Sequence, residues 1–88
     1  MTIRETLADI HALQRQMLDF EGRHGGRSDV FYAPYCSGEE PVDDAWVLDF
    51  SEWAGVYEAW MERQAEYREA VDRERRGGIG IAGLVHAA

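Results

Sequence analysis

Histidine, cysteine and clustered carboxylates are where this chain would do chemistry. It holds three histidines, His11, His24 and His86, and one cysteine, Cys36. A nucleophilic thiol needs a positive neighbour to lower its pKa. The charges nearest Cys36 are Glu39 and Glu40, which act in the opposite direction. His11 has Asp9 and Arg15 beside it, and neither completes a ligand pair at metal spacing. The densest cluster is Glu39, Glu40, Asp43 and Asp44, four acids within six residues. A calcium loop alternates its oxygen ligands around a central glycine, and that pattern is absent. Asp43 and Asp44 also suit a shared acid–base site poorly, because neighbours on a helix point about 100° apart.

Glycines supply two further patterns. Residues 22–29, Gly-Arg-His-Gly-Gly-Arg-Ser-Asp, are basic and glycine-rich, but lack the lysine and preceding strand of a P-loop. They are expected to form a flexible connector. Gly78, Gly80 and Gly83 spell G-x-G-x-x-G. A dinucleotide fingerprint follows a strand and opens a helix, whereas here a charged helical stretch precedes it. No nucleophile–base set emerges. The expectation is a non-enzymatic protein with no metal and no cofactor.

The charge distribution is more informative. Seventeen acids oppose nine bases, all arginine, for a formal net charge of −8. From Asp29 to Glu62 there are nine acids and no arginine. Such a stretch repels nucleic acid and attracts basic protein surfaces. With 88 residues the chain has room for one domain and a modest core. A lone cysteine makes no internal disulfide, which argues against an oxidising compartment. No charged-then-apolar leader opens the chain, and no apolar run nears the roughly 20 residues that span a bilayer. The expected location is the cytoplasm, away from membranes.

The elements that must position these residues read as helices. Thr2 and Glu5 form a capping-box pattern. Ile3, Leu7, Ile10, Leu13, Met17 and Phe20 follow at helical spacing, predicting a helix from about 2 to 22 that stops at Gly22, Gly25 and Gly26. Val30 to Tyr35 is rich in strand formers and carries Pro34, so it reads as an extended segment or edge strand. Trp46, Phe50, Trp53, Tyr57 and Trp60 are spaced four, three, four and three, one face of a helix. Pro41 suits a first helical turn, and the acids around it complement the positive end of the macrodipole. This predicts one long helix from about 41 to 76, kinked near Gly55 and closed by Arg73, Arg75, Arg76 and Gly77-Gly78. The fold class is then all-α, a helical hairpin of 2–22 against 41–76. The competing reading is α+β, with a hairpin of 30–35 against 45–50, because Trp46, Leu48 and Phe50 also alternate.

Wound at about 100° per residue, Asp44, Glu58, Glu62, Glu66 and Glu69 fall away from the aromatic seam. Like charges four apart disfavour a helix by a few tenths of a kcal/mol per pair. The acidic face of Glu39, Glu40, Asp43, Asp44, Glu52, Glu58, Glu62 and Glu66 is therefore expected to meet a positive partner. The first helix, about 30 Å long, is too short to cover a seam of about 54 Å, so residues 29–36, the tail or a second copy of the chain must cover the rest. Trp46, Trp53, Tyr57 and Trp60 are accordingly expected to self-associate in a homodimer. Residues 1–78 make a single helical domain. The apolar tail 79–88 either packs across the seam, adds as a strand to a neighbour or is disordered.

In its size and in the acidic run 29–62, the chain resembles small phage-encoded inhibitors of the anti-CRISPR and anti-restriction type. The resemblance implies a partner such as a CRISPR effector complex, no direct contact with nucleic acid and no enzymatic turnover. Carboxylates would stand in for phosphates in a basic groove. The alternative is a small structural, assembly or adaptor protein acting through its aromatic seam and apolar tail, with the acids serving solubility.

Overall fold

The computed structural model describes residues 2–78, 80, 81 and 83. Among the described residues there are three α-helices and a short 3-10 turn, with no strand. Residues 79, 82 and 84–88 of the tail, and with them the expectations for 79–88, lie outside the described residues.

Helix α1 (Ile3–His24) opens on the capping box. The Glu5 N–H donates to Thr2 Oγ1 at 3.1 Å, and the Thr2 N–H donates to Glu5 Oε1 at 3.2 Å. These bonds satisfy amide groups that a helix start leaves bare. Accepting from Thr2 also holds the Glu5 carboxyl below its usual pKa. The helix does not stop at Gly22. A single interior glycine costs about 1 kcal/mol relative to alanine, which tertiary contacts of Arg23 and His24 offset. The stop is Gly25, at φ 76°, whose N–H donates to Glu21 O at 2.8 Å. The connector thus shrinks to Gly25–Arg27.

Residues 28–36 correct the expectation of an extended segment: they form helix α2 (Ser28–Cys36). The reason is tertiary. Glu21 on α1 accepts both the Ser28 N–H, at 2.9 Å, and the Ser28 hydroxyl, at 2.8 Å. This pins the first turn of α2. Ser28, Phe31, Tyr32 and Tyr35 then repeat at three, four and seven, and they pack toward α3. Strand propensity is a weak preference that such packing overrides. Pro34 sits in the last turn, and the chain leaves the helix two residues later.

The hairpin of 30–35 with 45–50 is likewise overturned, since neither segment is a strand. Pro41 does not open the long helix. Asp43 caps a 3-10 turn (Asp44–Trp46) by accepting the Ala45 N–H at 2.9 Å. Helix α3 (Val47–Arg76) follows and passes Gly55 without interruption. Its 30 residues span about 45 Å. The molecule measures 52 × 22 × 19 Å, so α3 sets its long dimension.

Helices α1 and α3 form an antiparallel hairpin. His24 meets Asp49 at one end, and Asp9 meets Arg63 toward the other. The core is small: Ile10, Met17, Phe20, Trp53 and Ala54. Trp53, 2% exposed, is its centre. The Phe31 ring stacks on it at 3.9 Å and 3°, with the Phe20 and His24 rings stacked at 5.9 and 5.6 Å. Its indole N–H donates to Ser28 Oγ at 2.8 Å, continuing the bonds to Glu21. One buried indole therefore ties all three helices together.

Candidate functional site

The arginine-free stretch has a direct structural consequence. Carboxylates on helix surfaces usually find a cation three or four residues away. Between Arg27 and Arg63 no arginine is at hand. Several acids are nonetheless answered, among them Asp49 within the stretch by Arg23 at 2.9 Å, whereas Asp72 and Glu74 make no ion pair among the described residues despite the arginines beside them. Asp19 pairs with Arg23 at 2.7 Å, Asp29 with Arg27 at 3.2 Å, Glu66 with Arg63 at 3.1 Å and Glu69 with Arg73 at 3.4 Å.

The eight residues of the expected acidic face divide accordingly. Glu58 accepts the Tyr32 hydroxyl at 3.0 Å, and Glu66 is held by Arg63. Their carboxylates are engaged within the chain. Glu39, Glu40, Asp43, Asp44, Glu52 and Glu62 are exposed and have no cationic partner among the described residues. Five of these six lie between 39 and 52, in the loop before α3 and its first turns. Glu62 stands apart: ten residues beyond Glu52, it lies about 15 Å along the axis and about 80° around it. Most of the unpaired part of the expected acidic face is therefore gathered at one end, where a row along α3 was expected, and Asp72 and Glu74 add two unpaired acids near the other end.

That end is also apolar. Val42 is fully exposed, and Trp46, Val47 and Leu48 are 43, 54 and 67% exposed. Beside them Phe31, Pro34, Tyr35, Phe50, Glu39 and Glu40 line an open groove of about 210 Å³.

The residues expected to self-associate divide as well. Trp53 is spent inside the protomer and presents nothing to a second copy. Tyr57 and Trp60 are half-buried, with Tyr57 against Tyr32 of α2 at 4.8 Å. Only Trp46 is exposed. The physical cause is α2, which lays Phe31 on Trp53 and Tyr32 on Tyr57, so that residues 28–36 cover part of the seam within the protomer. The Trp60 indole N–H is buried without a hydrogen-bond partner among the described residues.

His24 and Tyr32 are held in place by neighbouring side chains. His24 Nε2 lies 3.0 Å from Asp49 Oδ2, which also accepts from Arg23 at 2.9 Å. His24 packs among Trp46, Phe50 and Trp53. Its hydrogen bond, with that of Arg23, holds the Asp49 carboxyl below its ordinary pKa. Cys36 is exposed and free. Cys36, loss of water and Glu58 together push the Tyr32 hydroxyl well above its ordinary pKa. Among the described residues no three of His, Cys, Asp and Glu are grouped to hold a metal. No helix there is long and apolar enough to cross a membrane.

No family model matches the chain, and neither does any curated protein or solved structure. The functional reading therefore rests on the chain's own residues.

Proposed function

We propose that this protein is a non-enzymatic binding inhibitor that docks its acidic end on a basic, nucleic-acid-binding surface of another protein, as an anti-CRISPR protein does. One observation carries the reading: Glu39, Glu40, Asp43, Asp44, Glu52 and Glu62 are exposed and make no ion pair among the described residues, and five of the six fall within residues 39–52. Unanswered like charges cost stability, and a partner's arginines and lysines would recover it. Carboxylates at the end of a narrow helical rod offer a basic groove the charge that phosphates otherwise bring. On this reading the protein touches its partner and not the nucleic acid, and it acts in the cytoplasm.

A second reading has its own support. Val42, Trp46, Val47 and Leu48 form an exposed apolar patch at the same end, of the kind that self-associates or seats an assembly partner. A homodimer or an adaptor role follows from it. Two variants separate the readings. Charge reversal of Glu52 and Glu62 to arginine abolishes capture of a nucleic-acid-binding partner under the first reading and leaves assembly intact. Leu48→Glu does the reverse under the second.

A further inference from the structure

The groove beside Glu39 and Glu40 has a composition that the acidic-end reading does not require. Phe31, Pro34, Tyr35 and Phe50 make its walls apolar and largely aromatic, and two acidic residues, Glu39 and Glu40, complete the lining. The Phe31 ring lies 5.4 Å from that of Tyr35 and 5.1 Å from that of Phe50. Phe31 is fixed in turn by its stack on the buried Trp53, so the walls are built on the core. Neither carboxylate has a cation within the chain among the described residues. An apolar ligand would have to strip water from both for nothing in return. An anion would be repelled. A cation with a flat, weakly hydrated head gains from the ring faces and from the carboxylates together.

We infer that this groove is an arginine-accepting pocket, in which the guanidinium of a partner's side chain lies against Phe31, Tyr35 and Phe50 and donates to Glu39 and Glu40. The inference rests on the proposed docking to a basic protein and names the side chain that anchors it. At about 210 Å³ the groove holds about seven waters' worth of space, room for a guanidinium and the end of its stem. A guanidinium presents its donors in a planar fork that matches carboxylates, whereas an ammonium is a more strongly hydrated point charge. The pocket therefore prefers arginine to lysine.

The test needs no macromolecular partner. The full chain, labelled with 15N, is titrated with ethylguanidinium and, separately, with its neutral analogue ethylurea and with ethylammonium. Saturable shifts at the amides of Phe31, Tyr35, Glu39, Glu40 and Phe50 are expected with ethylguanidinium, weaker ones with ethylammonium and none with ethylurea. A chain carrying Glu39→Gln and Glu40→Gln should bind about five- to tenfold more weakly, as two exposed ion pairs allow. Tyr35→Leu, which keeps both acids, should also weaken binding. An equal response to ethylurea overturns the pocket. So do shifts of the same size at Glu52, Glu62 and Asp72, or no saturation at millimolar concentrations. The outcomes are separable from the broader reading: a chain that binds ethylguanidinium here yet captures no basic protein refutes the docking alone. A chain that captures one equally well as the double variant refutes the pocket alone.

Discussion

Replacing Ser28 with alanine removes one hydroxyl and should destabilise the whole fold. That hydroxyl accepts from the Trp53 indole at 2.8 Å and donates to Glu21 at 2.8 Å. Ser28 and Trp53 are 3 and 2% exposed, so water does not reach the vacated position easily. The Trp53 N–H is then left buried without a partner, a loss of about 1–3 kcal/mol. Glu21 keeps the Ser28 backbone N–H, so its own loss is smaller. A total of about 2 kcal/mol is expected, or about 8–16 °C in Tm for a domain of this size. Urea unfolding followed by far-UV circular dichroism and by tryptophan emission measures it. Trp53→Phe removes the donor, and in that background Ser28→Ala should cost at least 1 kcal/mol less. Additive losses in the double variant, or a loss under about 0.5 kcal/mol for Ser28→Ala alone, would refute the idea that the Trp53–Ser28–Glu21 chain of bonds ties the three helices.

Other expectations follow from single contacts. Thr2→Ala deletes the capping box of α1 and should cost about 1 kcal/mol in urea unfolding, with a frayed start to the helix in amide exchange. The Asp49 carboxyl is held below its ordinary value of 3.8 by His24 first and then by Arg23. Its folded pKa is thus the lower one, so its contribution is present above about pH 4 and is lost as pH falls through the folded value. Asp49→Asn should flatten the stability–pH curve below pH 4, and an unchanged acid limb would contradict this. Leu48→Glu, at a site 67% exposed, should leave Tm within about 0.5 kcal/mol of the parent. It should convert any dimer seen by sedimentation equilibrium to monomer.

The sequence made α1 and α3 legible because each states its period several times over. In α1 a capping box and six apolar positions agree, and in α3 the aromatic spacing runs unbroken across Phe50 and Trp53. Helix α2 was hidden for a physical reason. Val30, Phe31 and Tyr32 are strand formers, and what makes them helical is a carboxylate seven residues before Ser28 and an indole 25 residues after it. The one local signal was the spacing of Phe31, Tyr32 and Tyr35 behind Ser28. The start of α3 was misplaced because Pro41 and Asp43 are both start signals, and only Asp43 makes the capping bond. The surplus of acid was plain from composition. Its location was not, because the partners of Glu58 and Glu66 are Tyr32 of another helix and an arginine that also reaches Asp9.

The central claim is that the unanswered carboxylates bind a basic nucleic-acid-binding surface. Its most direct test is capture from a bacterial lysate at low and at high salt, with the parent chain beside one carrying Glu39→Gln, Glu40→Gln, Glu52→Gln and Glu62→Gln. Mass spectrometry identifies what is held. The parent should retain a nucleic-acid-binding protein at low salt and lose it at high salt, and added nucleic acid should displace it. The four-glutamine chain should retain none. A partner that survives high salt, or that the four-glutamine chain holds equally well, would contradict the account and favour assembly through the apolar patch.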